Sequence, residues 1–280
     1  MGFIAKPFSL LSFIVFLLAG FEFLPFVKSS SDITTLVYKG CATQSFSDSS
    51  YSQSLSELYA SLMAQASQEP FFKTSTGGDQ ATISGLFQCR GDLSNRDCYR
   101  CVSMLPDMMG SLCGNSVAAR IQLYGCYMLY EVSGFPDISG LDLLYKTCSA
   151  SLEAGSSFEM NRDTAFSMLE SGLASSNRFY TTSYQSVYVL AQCEGDLGTI
   201  DCGTCVQTAV QRAQVECGSS ISGQVYLQMC FVTYTYYPKS SSGQNTTKTV
   251  AIVVGGAGAL GFLVICLLFI KSMVKKHDDY

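Results

Sequence analysis

Apolar residues recur at helical spacing in four stretches of the chain. Leu55, Leu58, Tyr59, Leu62, Met63 and Ala66 fall on one helix face, and Phe166, Leu169 and Leu173 repeat the pattern further along. A second helical face follows each Gly-Asp-Leu. It is Cys98, Cys101, Val102, Leu105, Met109 and Leu112 in one case, and Cys202, Cys205, Val206, Ala209, Val210 and Ala213 in the other. Ser94 suits the N-cap of the first of these, with Asp97 on its first turn. Four segments carry strand signals instead: Thr82–Gln88, Arg120–Glu131, Ser186–Gln192 and Gln224–Tyr236. Within them Ile121 and Leu123, and Val225, Leu227 and Met229, alternate with period two. One-sided helices beside such strands predict an α+β fold: two modules, each two helices packed on an antiparallel sheet.

Two longer apolar runs belong to neither module. Phe8 to Val27 follows Lys6 and ends in Ser29, Ser30 and Ser31, the layout of a secretory signal peptide over residues 1–30. The other reading is an N-terminal anchor, which Glu22 and Pro25 oppose. Val250 to Ile270 is 21 residues without a charge, enough helix to cross a bilayer core of about 30 Å. Lys271, Lys275 and Lys276 follow it, and positive residues stay cytosolic. The expected arrangement is a single-pass type I membrane protein with its N-terminus extracellular. Its parts are a first module over 31–138, a second over 139–239, a juxtamembrane linker over 240–249, a transmembrane helix over 250–270 and a cytoplasmic tail over 271–280. A charged segment after the apolar run argues against a lipid-anchor signal.

The middle of the chain is one module written twice. Cys89, Cys98, Cys101, Cys113 and Cys126 are spaced C-x8-C-x2-C-x11-C-x12-C, and Cys193, Cys202, Cys205, Cys217 and Cys230 repeat that spacing. Cys41 and Cys148 precede the two sets within LVYKGC and LLYKTC, and QCRGDL over 88–93 returns as QCEGDL over 192–197. Six cysteines per module outside the cell point to three disulfides each. Spacing alone does not choose among the pairings that six cysteines allow. Zinc at Cys98-x2-Cys101 would need a second close pair or histidines, and a redox-active C-x-x-C would need a spare thiol.

Composition narrows the chemistry. The sole histidine is His277, and there is no tryptophan. A serine or cysteine nucleophile therefore lacks its ordinary base, and a tryptophan sugar platform is excluded. The net charge is -5, which does not suit nucleic acid. Between Asp32 and Lys248 there are 12 Lys+Arg against 19 Asp+Glu, so the outer part is acidic. Asp92, Asp97, Asp196 and Asp201 repeat and could pair for glycoside hydrolysis, but Asp97 and Asp201 fall at helix starts, where negative charge is favoured. The expectation is no enzyme, no cofactor and no metal.

C-x8-C-x2-C twice, behind a signal peptide and before one membrane helix, resembles the plant plasmodesmata-located protein family over essentially the whole chain. The module resembles ginkbilobin, a secreted mannose-binding antifungal seed protein, and the outer part of cysteine-rich receptor-like kinases. The absence of a kinase selects the plasmodesmal family. The resemblance implies disulfides Cys41–Cys113, Cys89–Cys98 and Cys101–Cys126, then Cys148–Cys217, Cys193–Cys202 and Cys205–Cys230. The ginkbilobin sugar site uses an Asn after the first cysteine, an Arg six before the last and a Glu five after it. Those positions are Ala42, Arg120 and Glu131 here, and Ser149, Gln224 and Thr235 in the second module. Arg120 and Glu131 are thus the candidate sugar-binding residues, set against a structural Arg–Glu pair across neighbouring strands.

Further candidates lie near the membrane. Asn245-Thr246-Thr247 is the glycosylation sequon, Cys266 is a candidate for acylation, and Ala251, Gly255 and Ala259 form a row of small residues suited to helix contact. The resemblance implies a protein of the plasma membrane at plasmodesmata that modulates cell-to-cell trafficking, through callose deposition, and serves viral movement proteins. Expected partners are membrane proteins or co-receptors, a cell-wall glycan and further copies of the chain. The alternative is a plasma-membrane co-receptor or a lectin-like protein binding wall polysaccharide.

Overall fold

The computed structural model describes residues 32–46, 49–78, 82–132, 140–153 and 155–237. The expected signal peptide, linker, transmembrane helix and tail lie outside the described residues, and with them Asn245, Ala251, Gly255, Ala259 and Cys266. Among the described residues no helix is long and apolar enough to cross a membrane. The chain forms two compact units. One takes the first module's residues together with Glu194–Asp196, and the other takes the rest of the second module.

The first unit runs β1 (Leu36–Cys41), α1 (Ser49–Gln65), β2 (Phe71–Thr76), β3 (Ile83–Cys89), α2 (Asn95–Val102), α3 (Leu105–Cys113), β4 (Ala118–Leu123) and β5 (Cys126–Val132). Its strands make an antiparallel sheet in the order β1-β4-β5-β3-β2. The second unit runs β6 (Leu143–Cys148), α4 (Ser156–Leu173), β7 (Phe179–Tyr184), β8 (Val187–Cys193), α5 (Thr199–Cys217), β9 (Ser222–Leu227) and β10 (Cys230–Tyr236). Its sheet has the matching order β6-β9-β10-β8-β7. In each unit the long connection after the first strand carries a helix, and the second helical stretch returns the chain to the middle of the sheet.

The helices cover one face of each sheet. Leu58 and Leu62 of α1, with Ala66 just past its end, are spaced one turn apart and fully buried against Ile83 and Phe87 of β3 and Ile121 of β4. In the second unit Phe166, Leu169 and Leu173 of α4 occupy the same role over Val189 and Val232. A tyrosine closes each core. Tyr130 meets Tyr59 edge-on at 6.0 Å and donates its hydroxyl to Ser116 O at 2.8 Å. Tyr234 meets Phe166 edge-on at 5.6 Å and donates to Ser220 O at 3.0 Å. Each buried hydroxyl thus has its partner, and the ring can count as core.

One element departs from the sequence expectation. The helix after the first Gly-Asp-Leu is two helices, α2 and α3. Ser94 caps α2 by accepting from the Asp97 N–H at 3.2 Å, as its position predicts. The helix then stops at Val102, because Pro106 has no N–H to give to Val102 O and its ring crowds that carbonyl. Pro106 sits instead in the first turn of α3, where a missing N–H costs nothing. Val210 holds the equivalent place in the second unit, and α5 runs unbroken from Thr199 to Cys217.

The structure closes all six disulfides implied by the resemblance, with Cα–Cα distances between 5.4 and 6.1 Å. In each unit one bridge ties the first strand to the end of the last helix, across 72 residues in one case and 69 in the other. The other two pin the start of the second helical stretch to the sheet.

Candidate functional site

The pleat of β4 and β5 sorts their side chains. Ala119, Ile121, Met128 and Tyr130 enter the core, so Arg120, Gln122, Tyr127 and Glu131 stand on the face away from the helices. Arg120 lies opposite Leu129, and Glu131 lies opposite Ala118 and Ser84. The two sugar-site candidates are therefore diagonal neighbours on one face, as their spacing about Cys126 requires.

Arg120 is half-buried, and its guanidinium is already engaged. Its guanidinium stacks 4.2 Å from the centre of the Tyr127 ring, and its Nε is enclosed. The Tyr127 hydroxyl in turn donates to Glu194 Oε2 at 2.5 Å. Tyr38 of β1 completes the group electrostatically. Burial pushes the Glu194 carboxyl above its usual range; the Tyr127 hydrogen bond and the Arg120 charge pull the other way. Burial, then the Glu194 charge, holds the Tyr127 phenol well above its ordinary value. Burial works against the Arg120 charge, but Tyr38, Tyr127 and Glu194 outweigh it and keep the group protonated. Glu131 is half-buried and raised by burial. A cation stacked on a phenol that donates to a carboxylate holds a surface together.

The repeated aspartates serve structure. Asp97 accepts from the Ser94 hydroxyl at 2.7 Å, Asp92 accepts from Arg90 at 2.6 and 3.1 Å, and Asp196 pairs with Lys73 at 2.8 Å. Asp201 sits in the first turn of α5. In the second unit Gln224, at the position equivalent to Arg120, accepts from the Tyr226 hydroxyl at 3.2 Å, and Thr235 lies opposite Ser222. Among the described residues no group of three or more His, Cys, Asp and Glu could hold a metal ion.

Tyr38, Tyr127 and Glu194 belong to none of the motifs that mark Arg120 and Glu131. One signal for Glu194 was present: QCRGDL becomes QCEGDL, so the repeat reverses a charge at an otherwise unchanged turn. Arg90 makes an exposed pair with Asp92 and reaches Tyr124 O at 3.1 Å. Glu194, by contrast, is buried.

Comparisons with known proteins agree with this architecture. The family described as Salt stress response/antifungal matches residues 40–133 and 146–237. The chain is 54% identical to Plasmodesmata-located protein 2 of Arabidopsis thaliana, over 91% of this chain and 92% of the relative. It is 44% identical to Plasmodesmata-located protein 1 of the same plant, over 92% and 94%. Among solved structures, the tandem DUF26 ectodomain of the Arabidopsis thaliana cysteine-rich receptor-like protein PDLP8 superposes with a TM-score of 0.68 at 29% identity, covering 72% of this chain and 98% of that one. The corresponding ectodomain of PDLP5 gives a TM-score of 0.66 at 28% identity, covering 72% and 99%.

Proposed function

Because the chain belongs to the plasmodesmata-located protein family, we propose that it is a receptor-like binding scaffold of plasmodesmata that modulates cell-to-cell trafficking. In this reading residues 1–30 direct secretion, Val250 to Ile270 spans the plasma membrane, and the two disulfide-braced units stand outside. The observation that carries the reading is the match to Plasmodesmata-located protein 2, 54% identical over 91% of this chain and 92% of the relative. The described surface adds to it. The carboxylates that recur between the modules are spent on helix ends and ion pairs, so binding rather than chemistry is the output. Promotion of callose deposition is the effect we assign, and viral movement proteins are a class of partner that could exploit it. The full-length tagged protein should collect at callose-stained wall junctions, and raising its level should slow the passage of a cytosolic tracer between cells. An even distribution over the plasma membrane, with tracer movement unchanged, would overturn the reading in favour of a general co-receptor.

A further inference from the structure

The two sheets end in four edge strands: β1 and β2 in the first unit, β6 and β7 in the second. Three of them carry a lysine, Lys39, Lys73 and Lys146. Charge on an edge strand is a common device against pairing with another chain. β7 lacks it. Its sequence FYTTSY has no charge, no proline and no glycine, and every residue favours or tolerates a strand. The contrast is sharpest between repeats. β2 pairs Phe71 with Gln88 and β7 pairs Phe179 with Gln192, so Lys73 and Thr181 are equivalent positions.

The backbone of β7 is set up to pair again. The Cys193 N–H donates to Arg178 O at 2.9 Å. Following the register Phe179↔Gln192 outward, the bonded pairs with β8 fall at Tyr180, Thr182 and Tyr184. Phe179, Thr181 and Ser183 therefore turn their N–H and C=O groups to the outer edge. Three outward residues at spacing two, with Thr181 in the middle, are complementary to themselves. An antiparallel second copy sets Thr181 against Thr181, Phe179 against Ser183 and Tyr180 against Thr182. All three outward residues are then bonded, with no like charges opposed. A threonine–threonine pair is a favourable cross-strand contact.

We infer that β7 is a homotypic pairing edge, through which two copies of this chain join their second-unit sheets by a two-fold antiparallel contact centred on Thr181. The interface is isologous, so it closes at a dimer and does not propagate.

Charge exchange at the two-fold tests this. Full-length chains with two different tags are expressed together in membranes, and capture of one by the other is measured. Wild type should capture wild type. Thr181→Lys, which installs the residue the first repeat already carries there, sets two ammonium groups against each other and should cut capture several-fold. Thr181→Glu should do the same. Mixing Thr181→Lys with Thr181→Glu should restore capture, which misfolding of either variant could not do. Absent capture in wild type, unchanged capture in Thr181→Lys, or no recovery in the mixed pair would each overturn the inference.

Discussion

Glu194 shows how one buried carboxyl makes stability depend on pH. Its pKa is raised on folding, chiefly by burial, above the ordinary 4.5. A carboxyl with a raised folded value binds its proton more tightly folded than unfolded. Ionising it therefore costs stability as pH climbs from about 4.5 through the folded value, and the cost is absent below that window. The Tyr127 hydroxyl and the Arg120 charge reduce the cost without cancelling it, since the net direction remains upward. Glu194→Gln keeps an oxygen for the Tyr127 hydroxyl to reach and removes the proton. Denaturant midpoints of the 32–237 fragment, read at about pH 4.5 and about pH 7, should show a smaller change between the two conditions in the variant than in wild type. Glu131 and Glu170 are also raised by burial and contribute the same slope to both proteins, so the comparison isolates Glu194. Equal slopes would place its proton outside the folding equilibrium.

The hairpins and edges mark where the pattern of the chain could and could not be read. Arg120–Glu131 and Gln224–Tyr236 each read as one continuous strand, yet each is a hairpin, β4–β5 and β9–β10. Two residues intervene at each turn, Tyr124 and Gly125 in one and Gln228 and Met229 in the other, and the core face passes from odd positions before the turn (Ile121, Leu123; Val225, Leu227) to even ones after it (Met128, Tyr130; Val232, Tyr234), so only a shift in phase marks the hairpin. Gly125 also holds a tight junction. Its N–H donates to Ile33 O at 2.8 Å, and a side chain there would meet Ile33 Cβ at 2.7 Å and the same carbonyl at 3.0 Å. Gly125→Ala should therefore destabilise the first unit by about 1–3 kcal/mol, read from the shift in denaturant midpoint. No shift would mean that the segment before β1 moves aside freely. The helix faces were legible because burial on one side forces the 3.6-residue spacing, and Leu58, Leu62 and Ala66 are where it put them. The edge strands β1, β2, β6 and β7 were not legible, since strands paired on one side and partly exposed do not need clean alternation. Nor was the group around Arg120, because Tyr38, Tyr127 and Glu194 come from distant parts of the chain.

At the scale of the molecule, the question is whether the tandem region reads a sugar or a protein. Its surface is acidic, with 12 Lys+Arg against 19 Asp+Glu between Asp32 and Lys248, and an acidic wall polymer such as pectin gains nothing from that balance. A neutral glycan would need polar groups free to meet its hydroxyls. Arg120 and Glu131 share a face, which favours the lectin reading. The Arg120 group is already engaged, over the Tyr127 ring and beside the Glu194 charge. Removing it should then be felt by the fold before it is felt by any ligand. A buried carboxylate that loses its counter-charge is costly, whatever the original pair contributed. The prediction is that the 32–237 fragment binds neither mannose nor pectin fragments in calorimetric titration, and that Arg120→Ala lowers the denaturant midpoint of the first unit. Mannose binding by wild type that disappears in Arg120→Ala, with the midpoint unchanged, would reverse the ranking. Arg120 would then be a ligand-facing residue, and the two units would be a lectin.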